Sequence, residues 1–322
     1  VTKFGKVSVF SDLNNLTDIS MDHRYISICG MTEKELLTNF KEGINELAEA
    51  NGDTEEATIA KLKARYDGYH FEENTVGLYN PFSVLNTLSR LRYKDYWFET
   101  GTPTFLVDLL KMHNYRLPDM TKERVSDDVI NSVDSLSTNP IPVIYQSGYL
   151  TIKGYDERFK KYLLGFPNKE VEEGFLNFLL PLYCSAGDRS AFMVDEFVKD
   201  VEAGHVEQFM NRLTAFFADN SYQVAGEAEL YFQNALYLIF KIMGFHTQVE
   251  IPTSDGRMDV LIQTSDYIYI IECKLDGSAE EALQQIEVKN YAAPFAMDKR
   301  TVVKLGINFS SKTRRVESWK QR

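Results

Sequence analysis

The chain has 322 residues, a net charge of −12 and 44% hydrophobic residues, a composition typical of a globular protein and not of a disordered one. The acidic balance argues against a protein that coats nucleic acid through its bulk charge, although it leaves room for a local basic groove. Such a groove could be formed by the basic run at 299–322. No apolar run approaches the ~18 residues that a membrane-spanning helix needs, so we expect no membrane association.

Residues 1–115 contain mainly helix signals, preceded by one apolar run at 7–10 that predicts a buried strand. Helix N-cap patterns occur at four places: Thr32 with Glu35, Asp53 with Glu56, Asn80 with Pro81, and Thr102 with Pro103. No Gly-rich GxxxxGK[ST] loop occurs anywhere in the sequence, so nothing in it can cradle the phosphates of ATP. We therefore predict a helical region without ATPase activity.

The pattern changes in the middle region, 116–224. A short helix is predicted from about residue 141, followed by two β runs joined by GYDERFKK at 154–161. A helix followed by a hairpin fits a winged-helix module, and it fits a plain helix–hairpin linker equally well. Amphipathic helices complete this region.

The last region, 225–322, has the clearest pattern. It predicts a helix ending near Gly244, three successive strands, a helix capped by Ser278 and a fourth strand, with RRVESW as a candidate fifth. This α-β-β-β-α-β order indicates a mixed sheet with a helix on each side. The whole chain is therefore predicted to be a mixed α+β protein whose N-terminal and middle regions are mainly helical.

Two of these strands, GRMDVLIQT and YIYIIECKL, carry charged residues inside apolar runs. If Ser265–Asp266 is the turn of a hairpin, Asp259 lies directly opposite Glu272 with Cβ atoms ~5 Å apart. Alternation then puts Glu272 and Lys274 on one face and Cys273 on the other, whereas a one-residue slip would turn Asp259 away. Two carboxylates this close repel each other, and Mg²⁺ or Mn²⁺ would remove the conflict because both ions prefer oxygen ligands.

Lys274 adds an ammonium group to the same face as Glu272. Such a group can orient or deprotonate a water, or stabilise charge on a phosphate. A metal, a carboxylate pair and a lysine together indicate a hydrolytic centre for phosphodiesters. The alternation E-x-K alone is also common on solvent-facing strands, but these strands are too apolar to be exposed. The flanking helices add Glu229 and Gln285, although a solvated helix edge would explain Gln285 equally well.

This constellation and its element order resemble the PD-(D/E)xK nuclease superfamily, which has the restriction-endonuclease-like fold. The resemblance implies metal-dependent hydrolysis of nucleic acid, with DNA as the expected substrate and Mg²⁺ or Mn²⁺ as the cofactor. Met258 stands where many members carry a proline. The implied metal ligands are Asp259, Glu272 and the main-chain carbonyl of Cys273, and the implied catalytic residues are Lys274, Glu229 on the first helix and Gln285 on the second.

Motifs outside this domain extend the resemblance over nearly the whole chain. VTKFGKVSVFSDLNNLTDIS, ARYDGYHF, LYNPFSVLN, YWFETGTPTFLV and FPNKEV resemble bacterial proteins that join an AAA-ATPase-like domain to a C-terminal PD-(D/E)xK domain. The resemblance implies that 1–115 is the C-terminal remnant of the ATPase domain, including its helical lid, that 116–224 is a linker, and that 225–322 is the nuclease domain. The Walker A and B motifs of that family are missing here, so we do not expect ATP as a cofactor of this chain. We expect the chain to be either a fragment or the product of a gene that has lost the ATP-hydrolysing part of the domain.

The expected partners follow from these readings. They are nucleic acid, together with either a second copy of the chain or a separate ATPase. Three scattered cysteines without a CxxC spacing favour a reducing cytoplasm. The alternative to a nuclease is a non-catalytic module that binds nucleic acid or protein within an ATPase-linked assembly.

Overall fold

The computed structural model of the protein describes residues 21–99, 104–130, 139–183, 190–218, 228–244, 246–250 and 257–322, with Ile19, Thr253 and Ser254. The chain divides into two compact units, the first formed by Val1–Tyr115 and Asp119–Phe175, and the second by Arg116–Pro118 and Leu176–Arg322. The region boundaries predicted at 115 and 224 stay predictions. Within the described residues, no helix is both long enough and apolar enough to cross a membrane.

The first unit is mainly helical. Its helices are α1 Glu33–Asn39, α2 Lys41–Asn51, α3 Glu55–Tyr66, α4 Pro81–Arg90, α5 Tyr96–Glu99, α6 Thr104–Met112, α7 Asp127–Ile130, α8 Ile141–Gln146 and the start of α9 Lys169–Leu179. The first four helices share one buried cluster that includes Leu36, Ile44, Leu62 and Val84. The strand predicted at 7–10 lies outside the described residues.

Helix caps in this unit follow the sequence at two of the three predicted places that the structure describes, and the fourth, Thr102 with Pro103, lies outside the described residues. Thr32 and Glu35 form a capping box, and Asn80 caps α4 with Pro81 in its first turn, as predicted. The third prediction was wrong by one residue, because Thr54 caps α3. Asp53 instead accepts hydrogen bonds from Lys61, with its Oδ2 2.6 Å from Nζ.

A small antiparallel sheet completes the first unit. The predicted helix and hairpin are present as α8, β2 Thr151–Asp156 and β3 Lys161–Gly165, and β1 Arg124–Val125 pairs with the other edge of β3. The sequence pattern did not predict β1, which is only two residues long. The winged-helix module and the plain helix–hairpin linker both stay predictions for this segment.

Glu170 in α9 is a buried carboxyl of the first unit, with no exposed surface. Its Oε1 accepts hydrogen bonds from Ser83 Oγ at 2.9 Å and from the Trp97 main-chain N–H at 3.0 Å. Burial raises the pKa of Glu170 to about 7, and these hydrogen bonds only partly oppose the increase. The carboxyl therefore gains a proton near neutral pH in the folded protein.

The second unit contains the predicted α-β-β-β-α-β order. Its elements are α10 Ser190–Glu202, α11 Val206–Ala218, α12 Ala228–Met243, β4 Gln248–Glu250, β5 Thr253–Ser254, β6 Arg257–Gln263, β7 Tyr267–Leu275, α13 Ala279–Val288, β8 Thr301–Ser310 and β9 Arg315–Gln321. The candidate fifth strand RRVESW is β9, and Ser278 caps α13 as predicted. The mixed α+β class is confirmed.

The main sheet of this unit has the strand order β4-β6-β7-β8-β9, with β5 paired to β6. The strands β7 and β8 are parallel, and α13 connects them, whereas the other pairs are antiparallel. One face of the sheet packs against α13 through a buried cluster of Ile268, Ile270, Leu283 and Ile286. Side chains at even positions of β7 therefore point toward α13.

The opposite face packs against α10, α11 and α12. The Tyr269 hydroxyl donates to the Val201 carbonyl at 2.8 Å, and the rings of Phe309 and Phe232 lie 4.7 Å apart. Odd positions of β7 therefore point toward these three helices. The sheet thus has helices on both faces, as the sequence predicted.

Candidate functional site

The site is built on the hairpin of β6 and β7. The Thr264 N–H donates to the Tyr267 carbonyl at 2.9 Å across the turn, and Asp259 is the direct Cα partner of Glu272. The predicted register is therefore confirmed. The structure describes the backbone of Asp259, whereas its side chain lies outside the described residues.

Glu272 and Lys274 form an ion pair on the face of β7 that points toward α13. Lys274 Nζ lies 2.9 Å from Glu272 Oε1, and the two side chains are 23% and 1% exposed, respectively. A carboxylate this deeply buried needs a compensating charge or hydrogen bonds. The ammonium of Lys274 supplies both, while its own partial exposure leaves it in reach of solvent.

Gln285 joins this pair from α13. Its Oε1 accepts a hydrogen bond from Lys274 Nζ at 2.5 Å, which fixes the amide orientation because an ammonium group can only donate. Its Nε2 is buried and has no hydrogen-bond partner within the described part of the chain. The structure thus brings three predicted site residues, Glu272, Lys274 and Gln285, into one hydrogen-bonded group.

Gly306 explains how α13 comes so close to this group. It is the Cα partner of Glu272 on β8, and a Cβ added there would overlap the Ala279 carbonyl oxygen and lie 3.0 Å from the Ala282 Cβ. Only glycine permits this close approach of helix and strand. The missing side chain therefore helps to bring Gln285 within reach of Lys274.

The other face of β7 carries Cys273, and a small cavity of about 60 Å³ lies beside it. Glu229 lines this cavity from α12, so the predicted acid of the first helix shares a cavity with Cys273 and Lys274. The lining residues are Glu229, Phe232, Gln233, Leu236, Cys273, Lys274, Leu275 and Phe309. The Glu229 carboxylate accepts a hydrogen bond from Gln233, and not from the Glu272 group, within the described part of the chain.

Sequence reasoning missed Asn308, which is 1% exposed and is the Cα partner of Lys274 on β8. Its Oδ1 accepts from the Gly277 N–H at 2.9 Å, and its Nδ2 donates to Glu317 Oε2 at 2.8 Å. Asn308 therefore ties the loop after β7 to β8 and β9. Its one signal in the sequence is a polar residue near the end of the apolar run VVKLGINF.

The donor set fits a divalent cation of the Mg²⁺ type. Carboxylate and main-chain oxygens are the ligands these ions prefer. Of the predicted ligands and catalytic residues, Glu229, Cys273 and Lys274 line the cavity beside β7, whereas Glu272 points toward α13. Among the side chains that the structure describes, no cluster of three or more His, Cys, Asp or Glu occurs. The predicted set needs Asp259 as well, whose side chain is not among them.

Half of the eight basic residues in the run at 299–322 form ion pairs with neighbouring carboxylates, as is common on a solvated surface. These pairs join Arg300 to Asp298, Lys304 to Glu287, and both Lys320 and Arg322 to Glu280. Neighbouring carboxylates cancel much of the positive potential that a phosphate backbone would meet. These pairs therefore reduce the positive charge of the segment by about half.

A larger cavity of about 300 Å³ lies in the first unit, at the lower end of the range for small-molecule sites. Its walls include the aromatic residues Tyr69, Phe71, Trp97 and Tyr145. The described residues around it include no Asp, Glu, Lys or Arg, so it offers neither a carboxylate for Mg²⁺ nor a permanent cation for phosphate. It lacks the chemistry of the Glu272 group.

Residues 227–319 match the family model described as the PD-(D/E)XK nuclease superfamily. This span holds a nuclease-superfamily domain. It runs from the start of α12 into β9, and every predicted catalytic or metal-binding residue falls inside it.

The chain as a whole also has a relative. It is 32% identical over 326 residues to a protein of Azotobacter chroococcum mcd 1 described as "Uncharacterized protein in vnfD 5'region". The match covers 98% of this chain and 61% of that protein, so this chain spans about three fifths of its relative. No solved structure matches the chain with significance.

Proposed function

We propose that this chain is a metal-dependent nuclease that hydrolyses phosphodiester bonds of nucleic acid, with DNA as its substrate. The observation that carries the proposal is the buried ion pair of Glu272 and Lys274, opposite Asp259 in register, inside a nuclease-superfamily domain. Members of this superfamily are usually nucleases that use divalent metals, which supports both the reaction and the cofactor.

Asp259, Glu272 and the main-chain carbonyl of Cys273 would hold Mg²⁺ or Mn²⁺. The bound ion would supply charge for the scissile phosphate and would lower the pKa of a coordinated water. The position of Asp259 opposite Glu272 supports this ligand set, because a divalent cation between carboxylates on paired residues would relieve their repulsion. Glu229 lines the cavity beside Cys273.

Lys274 would position the attacking water and stabilise charge on the phosphate. An ammonium group has three hydrogens to donate, and the described residues take two of them, through Glu272 and Gln285. The third hydrogen of Nζ can therefore point to a water or a phosphate oxygen. Gln285 and Glu272 would hold Nζ in place while it makes that contact.

The test is cleavage of plasmid DNA, single-stranded DNA and RNA by the purified chain with Mg²⁺ or Mn²⁺. Lys274→Ala and Asp259→Asn should each abolish cleavage, whereas Lys289→Ala, which removes an exposed lysine after α13, should leave it unchanged. If the wild-type chain cuts none of these substrates with either ion, the nuclease proposal is wrong.

We further propose that residues 1–115 are the remnant of an AAA-ATPase-like domain, and that the chain acts either as a homo-oligomer or with a separate ATPase. The motifs quoted above support this resemblance, whereas the absence of a phosphate-binding loop argues against ATP hydrolysis by the chain itself. Light scattering and an ATPase assay on the purified chain would test both parts. ATP turnover that survives further purification would contradict the proposal.

The second candidate function is a non-catalytic module that binds nucleic acid or protein. The net charge of −12 and the ion-paired basic run favour it, because both weaken the attraction for phosphate. The slope of DNA affinity against salt concentration would separate the cases. A slope near zero would leave no phosphate contacts and would favour a protein partner.

A further inference from the structure

A row of hydrogen bonds on α12 leads to Glu229. Gln233 Nε2 donates to Glu229 Oε1 at 3.0 Å, and Arg116 Nε donates to Gln233 Oε1 at 3.0 Å. Glu229 and Gln233 are four residues apart on one helix face, whereas Arg116 comes from 117 residues away in sequence. The row thus joins a distant arginine to the acid that lines the cavity beside Cys273.

The direction of this row is fixed by chemistry. A guanidinium group can only donate, and a carboxylate can only accept. Gln233 must therefore turn its oxygen to Arg116 and its amide hydrogens to Glu229. A glutamine without the arginine could flip its amide and would then offer its oxygen to the carboxylate.

The segment that carries Arg116 is itself anchored on α12. The Leu117 N–H donates to Asn234 Oδ1 at 2.8 Å, and Asn234 Nδ2 donates to the Tyr183 hydroxyl at 3.1 Å. Leu117 is buried, with 2% of its surface exposed. Arg116 therefore starts from a fixed backbone position, unlike an arginine on a surface loop.

Glu229 needs such support because it is an exposed side chain at the start of its helix. An unsupported glutamate loses up to about 2 kcal/mol of rotamer entropy when it is ordered. We propose that Gln233 and Arg116 are positioning residues that hold the Glu229 carboxylate at the cavity, so that Oε2 can bind a water or ligand of the metal centre. This inference rests on the proposed nuclease function and deepens it.

The first test compares Gln233→Leu with the wild-type chain. It should weaken Mn²⁺ binding measured by calorimetry about tenfold, the lower end of the effect of outer-shell partners, and should raise the Mn²⁺ concentration for half-maximal cleavage by the same factor. Arg116→Lys keeps the charge but loses the donor geometry, and it should show a smaller effect in the same direction. Gln284→Leu, a substitution at an exposed position of α13, is the matched control and should change neither.

The second test separates positioning from a merely structural role. If Gln233 acts through Glu229, Gln233→Leu should have no further effect on Mn²⁺ affinity in a Glu229→Gln background. Additive losses in the double variant, or unchanged affinity in Gln233→Leu alone, would overturn the positioning role while the nuclease proposal stands. A wild-type chain that neither binds Mn²⁺ nor cuts nucleic acid would overturn both.

Discussion

Replacing Lys274 by methionine should destabilise the second unit as well as stop cleavage. Glu272 has no exposed surface, so without the ammonium it must stay charged in a poor environment or take up a proton. Removing one partner of a buried pair costs about 3–5 kcal/mol. Because the Lys274 side chain is 23% exposed, we expect about 3 kcal/mol, the lower end of that range.

The double variant Glu272→Gln with Lys274→Met tests the cause of this loss. It leaves no buried charge unpaired at this position, so its free energy of unfolding should lie within about 1 kcal/mol of the wild-type value, with a coupling of about 2–3 kcal/mol between the two sites. Urea unfolding followed by Trp319 emission in a Trp97→Phe background reports on the second unit, since Trp319 lies in β9. Cleavage should fall about 10³-fold in both variants.

Two results would contradict this reasoning. If Lys274→Met is as stable as the wild-type chain, the ammonium does not compensate Glu272. If the two substitutions destabilise additively, the pair seen at 2.9 Å does not determine the energetics of the site. Either result would remove the physical reason for placing Lys274 at the centre of the proposed chemistry.

Three further predictions follow from the same structure. Mn²⁺ at 100 times its dissociation constant should stabilise the wild-type chain by about 2.7 kcal/mol in thermal unfolding, and Asp259→Asn should show no such increase; equal stabilisation of both would exclude Asp259 as a ligand. Gly306→Ala should cost about 1–3 kcal/mol through the overlap with Ala279, and an unchanged urea midpoint would show that α13 can move away. The pKa of Glu170 is raised from 4.5 to about 7, so between these pH values the native state binds more protons than the unfolded chain. The unfolding free energy of the first unit should therefore fall by about 3 kcal/mol as the pH rises from 4.5 to 7. Urea titrations followed by Trp97 emission should show this fall in the wild-type chain and not in Glu170→Gln.

The hairpin of the site could be predicted because its two signals are local. Alternation of apolar residues fixes which side chains share a face, and the polar pair Ser265–Asp266 marks the turn. Together these determine the register, so the partner of Asp259 follows by counting. The same reasoning placed α13, since Ser278 is a strong N-cap directly before an amphipathic run.

Contacts between distant segments could not be predicted in this way. The bond from Arg116 to Gln233 spans 117 residues, and nothing in the local pattern of either segment indicates it. Gln233 did carry a weaker signal, because it lies four residues after Glu229 on the same helix. The cap of α3 was misplaced for a different reason, since Asp53 and Thr54 are both good N-caps and the ion pair with Lys61 draws Asp53 away.

The pair Glu272–Lys274 is hard to explain by stability alone. A buried ion pair can often be replaced by apolar residues without loss of stability, because the attraction between the charges barely offsets their desolvation. The rest of this face of β7 is apolar, with Ile268 and Ile270 buried against α13, so two further apolar residues would fit the same packing. Chemistry at this position therefore explains the buried carboxylate and the ammonium of β7 better than the needs of the fold do. The same holds for Gly306 on β8, which lets α13 bring Gln285 close to them.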